Sequence, residues 1–148
     1  MTSPALFLKR HRRIALDTNV FIYQLENDAR YVESTTQVFD WIGRDGNSAV
    51  ASTITMTELL VQPYRLGDED RVNQLFALAT TIPNLSWVAP DLLIADGAAR
   101  FRARHKLATP DALIAATAVA AGATALVTDD IALKRVEAIE VAVLTSAA

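Results

Sequence analysis

Short blocks of consecutive apolar residues recur along the chain, separated by longer stretches with helical spacing. Ile14-Ala15-Leu16, Ala49-Val50-Ala51, Leu85-Ser86-Trp87-Val88 and Thr124-Ala125-Leu126-Val127 are such blocks, and Glu140-Val141-Ala142-Val143-Leu144 adds a fifth. Runs this short with little polar alternation predict strands covered on both faces. Asp17-Thr18-Asn19 ends the first strand, and Val20-Phe21-Ile22-Tyr23 opens a helix. A second helix is predicted over 32–42, stopped by Gly43 and the turn-like Asp45-Gly46-Asn47. Thr55-Met56-Thr57-Glu58 starts a third that halts near Pro63, and 68–79 reads as a fourth. Pro90 and Asp91 lead into a long helix reaching about Lys106. The stretch after Ala108 is the most apolar helix of all. Thr109 suits its N-cap, Pro110 its first position, where a missing N–H is harmless, and Gly122 closes it. A short helical turn follows Asp130.

Strands alternating with helices in this way predict an α/β domain of three layers, α/β/α, over 1–148. Its core is a short, mostly parallel sheet of four to five strands with helices on both faces. No repeat, low-complexity segment or linker divides the chain. In such sheets ligands bind beyond the carboxyl ends of the strands, so the strand-to-helix junctions are the places to look for chemistry.

Composition narrows the classes. At 51% hydrophobic residues the 148-residue chain can bury a substantial core, and only 7% of the chain is aromatic, which favours close helix–sheet packing. The net charge of -3 gives no global attraction to nucleic acid or membrane, so any RNA binding must be local. The absence of cysteine excludes disulfides, thiolate metal sites and a cysteine nucleophile, and fits a reducing cytosol. The apolar piece 5–8 is too short for a secretory signal, and its charges follow it. The Ala-rich region 112–127 is broken by Thr117, Gly122 and Thr124 and is shorter than the ~20 residues of a membrane span. A soluble, cytoplasmic protein is expected.

Acids mark the junctions. Asp17 follows the first strand, Glu58 sits just inside the helix after the second, and Asp129 and Asp130 follow the fourth. Asp111 heads the helix that runs back to the start of the fourth strand, so it belongs at the same edge. Each has a plain structural role open to it. Asp17 can form an Asx turn, Thr55-x-x-Glu58 fits a capping box, Asp111 complements a helix dipole, and Asp130 can cap the final turn. Gathered at one edge, however, these carboxylates repel, and a divalent cation among them would relieve the repulsion. The ligand set is all oxygen, and neither His11 nor His105 lies near a strand end, which selects Mg²⁺ or Mn²⁺. Such a site supports phosphodiester hydrolysis by one ion, or by two ~4 Å apart.

Leu16-Asp17-Thr18-Asn19, Thr57-Glu58, Thr109-Pro110-Asp111-Ala112-Leu113-Ile114-Ala115-Ala116 and Thr128-Asp129-Asp130 occur in an order and spacing that resemble the PIN domains, and among them the VapC-like ribonuclease toxins of toxin–antitoxin pairs. The resemblance covers nearly the whole chain, and Asp-Ala-x-Ile-Ala-Ala is its most specific motif. It implies a PIN-like fold and a Mg²⁺- or Mn²⁺-dependent endoribonuclease, with Asp17, Glu58 and Asp111 as metal-site acids. The fourth family acid maps to Asp130, while Asp129 stands where the family often has Asn. Thr18, Asn19 and Thr128 match positions that orient the acids or the attacking water. The resemblance further implies a homodimer neutralised by a small antitoxin that plugs the acidic groove.

The remaining charges and aromatics are weighed against this. The run Lys9-Arg10-His11-Arg12-Arg13 enters the first strand, so it belongs at the edge opposite the acids, as solvated surface or a partner contact. Arg104 and Lys106 precede Thr109 and are candidate RNA contacts; Arg100 shares a face with Arg104 by i,i+4 spacing. Trp41, Trp87, Phe21, Phe39, Phe76 and Phe101 are expected in the core or a dimer contact, with no spacing that marks a base-stacking platform. Tyr23 is expected to be buried, bordering the acids at most. Two other classes compete. A haloacid-dehalogenase-like phosphatase would use Asp17 as nucleophile, but it needs an acid where Asn19 stands. A non-catalytic binding domain would use the acids only as caps.

Overall fold

A computed structural model describes residues 3–147. Strands β1 (Arg13–Leu16), β2 (Ser48–Ser52), β3 (Leu85–Val88), β4 (Ala125–Thr128) and β5 (Glu140–Val143) form one sheet in the order β3-β2-β1-β4-β5. All neighbouring pairs are parallel. Helices α1 (Pro4–Leu8), α2 (Thr18–Leu25), α3 (Val32–Ile42), α4 (Thr53–Arg65), α5 (Glu69–Thr80), α6 (Leu92–His105) and α7 (Thr109–Ala120) flank it, with a 3-10 turn at Ile131–Arg135.

The period of two along each strand sorts the core. Ile14, Leu16, Ala49, Ala51, Ala125 and Val127 face one layer, where Leu8, Val20, Phe21, Val38, Trp41 and Ile42 cover them. Ala15, Val50 and Leu126 face the other, against Ile94, Ala98, Leu133 and the alanine-rich side of α7. Burying a side chain such as Phe21 or Leu126 stabilises by roughly 1.5–3 kcal/mol over leaving it exposed. Strands of four or five residues are therefore held by the two layers that cover them. The α6–α7 contact is tight because both sides are small: a Cβ placed on Gly97 would lie 3.4 Å from Ala116 Cβ.

Several boundaries differ from expectation. The N-cap of α7 is Ala108, without a side-chain hydrogen bond, and Thr109 and Pro110 are the first two helical residues. Pro110 still lacks only an N–H that would be unpaired in the first turn. Helix α4 does not halt at Pro63; it continues to Arg65, with Pro63 buried inside it, and ends before Gly67, whose φ is +66°. That helix also begins earlier than expected, with Ser52 as N-cap, its side-chain oxygen accepting from the Ile54 N–H. Glu58 is thus its sixth residue, and the Thr55–Glu58 capping box does not form.

Helix α1 was not legible in the sequence. Ser3 caps it, Leu8 is fully buried beneath it, and Ala5 N–H donates to Gln37 Oε1 of α3. The basic run lies at the amino edge of the sheet, as expected. Arg10 and His11 meet Glu140 at the start of β5, and Arg13 Nε donates to Ala121 O at 2.8 Å. Phe21 and Trp41 are core residues, Phe39, Trp87 and Phe101 pack partly buried against it, and Phe76 is half exposed. No helix among the described residues is long and apolar enough to cross a membrane.

Candidate functional site

The strand order reverses between β1 and β4, which lie side by side at the centre of the sheet. Chains leaving their carboxyl ends turn to different sides, and a crevice opens between them. It is a cavity of about 280 Å³ lined by Asp17, Thr18, Asn19 and Ile22 of the β1–α2 segment, Glu58 and Val61 of α4, Asp111 of α7, and Asp130 after β4. Four acids separated by up to 113 positions thus come from four elements to one wall.

Asp17 is the N-cap of α2 and only 5% exposed. Its Oδ1 accepts from the Thr18 N–H at 2.7 Å and its Oδ2 from the Thr128 hydroxyl at 2.7 Å. The Thr18 hydroxyl donates to Glu58 Oε1 at 2.6 Å and lies 3.0 Å from Thr55 Oγ1, joining α2 to α4. Asp130 caps the 3-10 turn through the Ala132 N–H, and its own N–H donates to Thr128 Oγ1 at 3.0 Å. Capping accounts for Asp17 and Asp130. It does not account for Glu58, which lies in the middle of a helix and points to the cavity.

Asp129 has a different place from Asp130. Its Oδ1 accepts from Asn19 Nδ2 at 2.9 Å and its Oδ2 from the Tyr23 hydroxyl at 2.5 Å, and it does not line the cavity. Asn19 and Tyr23 are four apart on α2, so one helix face grips both oxygens. Tyr23 is half-buried rather than core. Its phenol is held protonated by desolvation first and by the Asp129 carboxylate next.

Burial pushes the Asp17 carboxyl up to about 6, against the opposing hydrogen bonds from Thr128 and Thr18, and the charges of Asp111 and Asp129 push it further. Asp111 is raised too, by desolvation first and then by the charges of Asp130 and Glu58. These carboxylates therefore feel one another across the cavity. They do not form a closed cage: among the described residues no three acidic, histidine or cysteine side chains stand close enough to be a preassembled metal site. The donor set is nonetheless all oxygen and acidic, and Asp17 and Asp111 are raised by burial first and by neighbouring carboxylates after it. A hydrated hard cation fits such a cavity, since Mg²⁺ takes one or two carboxylates directly and retains water.

Arg104 and Lys106 do not line the cavity. Arg104 is exposed in the last turn of α6, Lys106 is its left-handed C-cap at φ +54°, and Arg100 pairs with Asp96. Thr55, fully buried against Thr18, and the cavity residues Ile22 and Val61 were missed. The i,i+4 relation of Asn19 to Tyr23 was the available signal for the Asp129 clamp.

A family model identifies the family, and solved structures share the fold. The model of the PIN domain matches residues 14–139. No curated protein matches the chain. Among solved structures, the chain is similar to VapBC2 from Rickettsia felis, crystallised with a promoter DNA fragment, at 20% identity and a TM-score of 0.68, covering 89% of this chain and 98% of that one. It is similar to VapBC-1 from nontypeable Haemophilus influenzae at 19% identity and a TM-score of 0.69, covering 88% and 97%. FitAcB from Neisseria gonorrhoeae shares 25% identity at a TM-score of 0.67, covering 86% and 95%. Helix α1 precedes the matched range. With the family model spanning most of the sequence and the fold shared by these structures, the chain belongs to the PIN domain family.

Proposed function

We propose that the protein is a metal-dependent endoribonuclease, the toxin of a toxin–antitoxin pair, acting at the cavity of Asp17, Glu58, Asp111 and Asp130. The observation that carries this reading is the convergence of these four carboxylates from four elements at the switch point of the sheet. Bound there, Mg²⁺ or Mn²⁺ would offset the charge of a phosphodiester and make the attacking water more acidic. Asp17 and Asp111 would hold it, with Glu58 and Asp130 ordering its waters or a second ion. Thr18 and Thr128 keep Glu58 and Asp17 in place. Asp129, gripped by Asn19 and Tyr23, supports the position of Asp130 and stays out of the cavity.

RNA as substrate, a cognate antitoxin and a homodimer belong to the same reading, as does action in the cytoplasm. An apolar groove of Ile22, Leu25, Leu59, Pro63, Leu66 and Leu75 shares Ile22 and Glu58 with the acidic cavity. An antitoxin segment lying in it could reach a cationic side chain into the acids. A second, larger apolar groove between α4 and α5, with Met56, Leu60, Tyr64, Phe76 and Trp87 in its walls, is suited to a second copy. Arg104 and Lys106 remain candidate phosphate contacts outside the cavity.

The test is expression of wild type and Asp111→Asn in growing cells, with sequencing of RNA ends, and cleavage of RNA by the purified proteins with Mg²⁺ or Mn²⁺. Growth arrest and new RNA ends with wild type alone are expected. Equal behaviour of both proteins would overturn the reading in favour of a binding domain.

A further inference from the structure

Tyr23 and Tyr31 stack with ring centres 4.1 Å apart and planes 10° apart. The stack is tied to the acidic site, because the Tyr23 hydroxyl donates to Asp129, the residue before Asp130. Arg30 also lies over the Tyr31 ring, its Cζ 5.4 Å from the ring centre.

The guanidinium and its loop have further contacts. Asp28 grips its fork, with Arg30 Nε 3.2 Å from Oδ1 and Nη2 2.9 Å from Oδ2, and Oδ1 also accepts the Arg30 backbone N–H at 2.9 Å. The carbonyl of Arg30 accepts from the Ala147 N–H at 2.7 Å, so the carboxyl-terminal segment holds the same loop. The side chain of Arg30 is nevertheless 65% exposed. A surface arginine ordinarily loses rotamer freedom when it binds something. Here the bidentate Asp28 contact and the Tyr31 ring define one orientation of the guanidinium before any ligand arrives.

The clamp also decides what the guanidinium can offer. Its fork faces Asp28, which matches its charge, so it is poorly suited to catch a phosphate. Its face is open. Unpaired bases stack on guanidinium planes and on tyrosine rings, and this is how single-stranded RNA is held.

We infer that the Arg30–Tyr31–Tyr23 ladder is a stacking platform for one unpaired nucleobase of the RNA, which fixes the register of the strand across the acidic cavity. The inference rests on the nuclease reading for its substrate, but binding can be measured without cleavage. The three side chains are positioning residues for the RNA; none touches the reacting phosphate.

The experiment has two arms. In the first, a labelled single-stranded RNA of mixed sequence is titrated with the Asp111→Asn protein in Mg²⁺ and read by fluorescence anisotropy, with Tyr31→Ala, Tyr31→Phe or Arg30→Ala added. Tyr31→Ala and Arg30→Ala are expected to raise Kd about tenfold, within the range of one base stack. Tyr31→Phe keeps the ring and is expected to match the parent. Melting curves of each variant identify any that fail to fold, and the Phe variant then still compares ring with hydroxyl. In the second arm, the same RNA carries a single abasic site at each position in turn. One position is expected to weaken binding in the parent and to add nothing in Tyr31→Ala. Unchanged Kd for Tyr31→Ala and Arg30→Ala, or an abasic penalty that persists in Tyr31→Ala, would overturn the platform. So would loss of affinity for a co-expressed protein partner with RNA binding unchanged. If wild type cuts no RNA, the nuclease reading fails by itself, and the binding arms still decide the platform.

Discussion

Thr128 donates its hydroxyl to Asp17 Oδ2 at 2.7 Å, and the two residues stand at the carboxyl ends of adjacent parallel strands, β4 and β1. Thr128 Oγ1 in turn accepts the Asp130 N–H at 3.0 Å. One fully buried hydroxyl therefore orients two of the four acids that line the cavity. Side chains behind metal-site carboxylates act in this way, by fixing the direction of the acid.

Replacing Thr128 by Val keeps the volume and removes that hydroxyl. Asp17 Oδ2 and the Asp130 N–H lose a partner, at about 1–3 kcal/mol each where they stay dry. RNA cleavage is expected to fall about 10- to 100-fold, with a lower unfolding midpoint in urea. Thr128→Ser should restore both, and a fully active Thr128→Val would remove the hydroxyl from the argument.

Asp111→Asn separates catalysis from folding. Loss of a carboxylate that would hold the cation offsetting the phosphate charge is expected to lower the cleavage rate by at least about 100-fold. In chelator the melting temperature should be equal or higher than wild type, because one repelling charge has gone from beside Glu58 and Asp130. The rise in melting temperature that Mg²⁺ gives the wild type should shrink. A variant that melts far below wild type would instead make Asp111 a structural residue.

The stability of the metal-free protein should fall with rising pH through the acid range. Asp17 holds its proton to about pH 6 when folded and to 3.8 when unfolded. Between those values the folded state binds more protons, so stability is greatest below the lower one and declines up to the upper one. For Asp17 alone the decline is on the order of 3 kcal/mol. The lowered Asp28 carboxyl acts in the opposite sense, but it pairs with Arg30 at the surface, where screening leaves it little weight. Urea unfolding in chelator from pH 4 to pH 7 measures the slope, and added Mg²⁺ should flatten it. A slope that rises with pH would contradict the burial of Asp17.

Leu8→Ala tests whether the short helix before the family-matched range is an integral part of the fold. Leu8 is fully buried and packs in the layer of Phe21 and Val38. Truncation should cost about 2–5 kcal/mol, read as a shift of the urea midpoint. A shift below about 0.5 kcal/mol, the level of an ordinary surface substitution, would show the helix to be a loose appendage.

The order of strands and helices, the two-sided burial of β1, β2 and β4, and the junction acids were legible because apolar period and turn chemistry act over a few residues. Asp17, Glu58, Asp111 and the pair Asp129 and Asp130 were placed at one edge from the alternation of strand and helix alone. The same local rules misplaced the start of α7, stopped α4 at Pro63 and gave Glu58 a capping box, since tertiary packing decides where a helix may begin and what it tolerates inside. Contacts at a distance were out of reach. The resemblance favoured Asp130 over Asp129, but the physical reason, Asn19 and Tyr23 gripping Asp129 from 110 and 106 positions away, is a matter of tertiary contacts. The stack of Tyr23 on Tyr31, and Thr55 behind Thr18, exist only once α2 meets its neighbours. Periodicity fixes which face of an element is buried; which side chain then meets which is settled by the crossing of elements far apart in the chain.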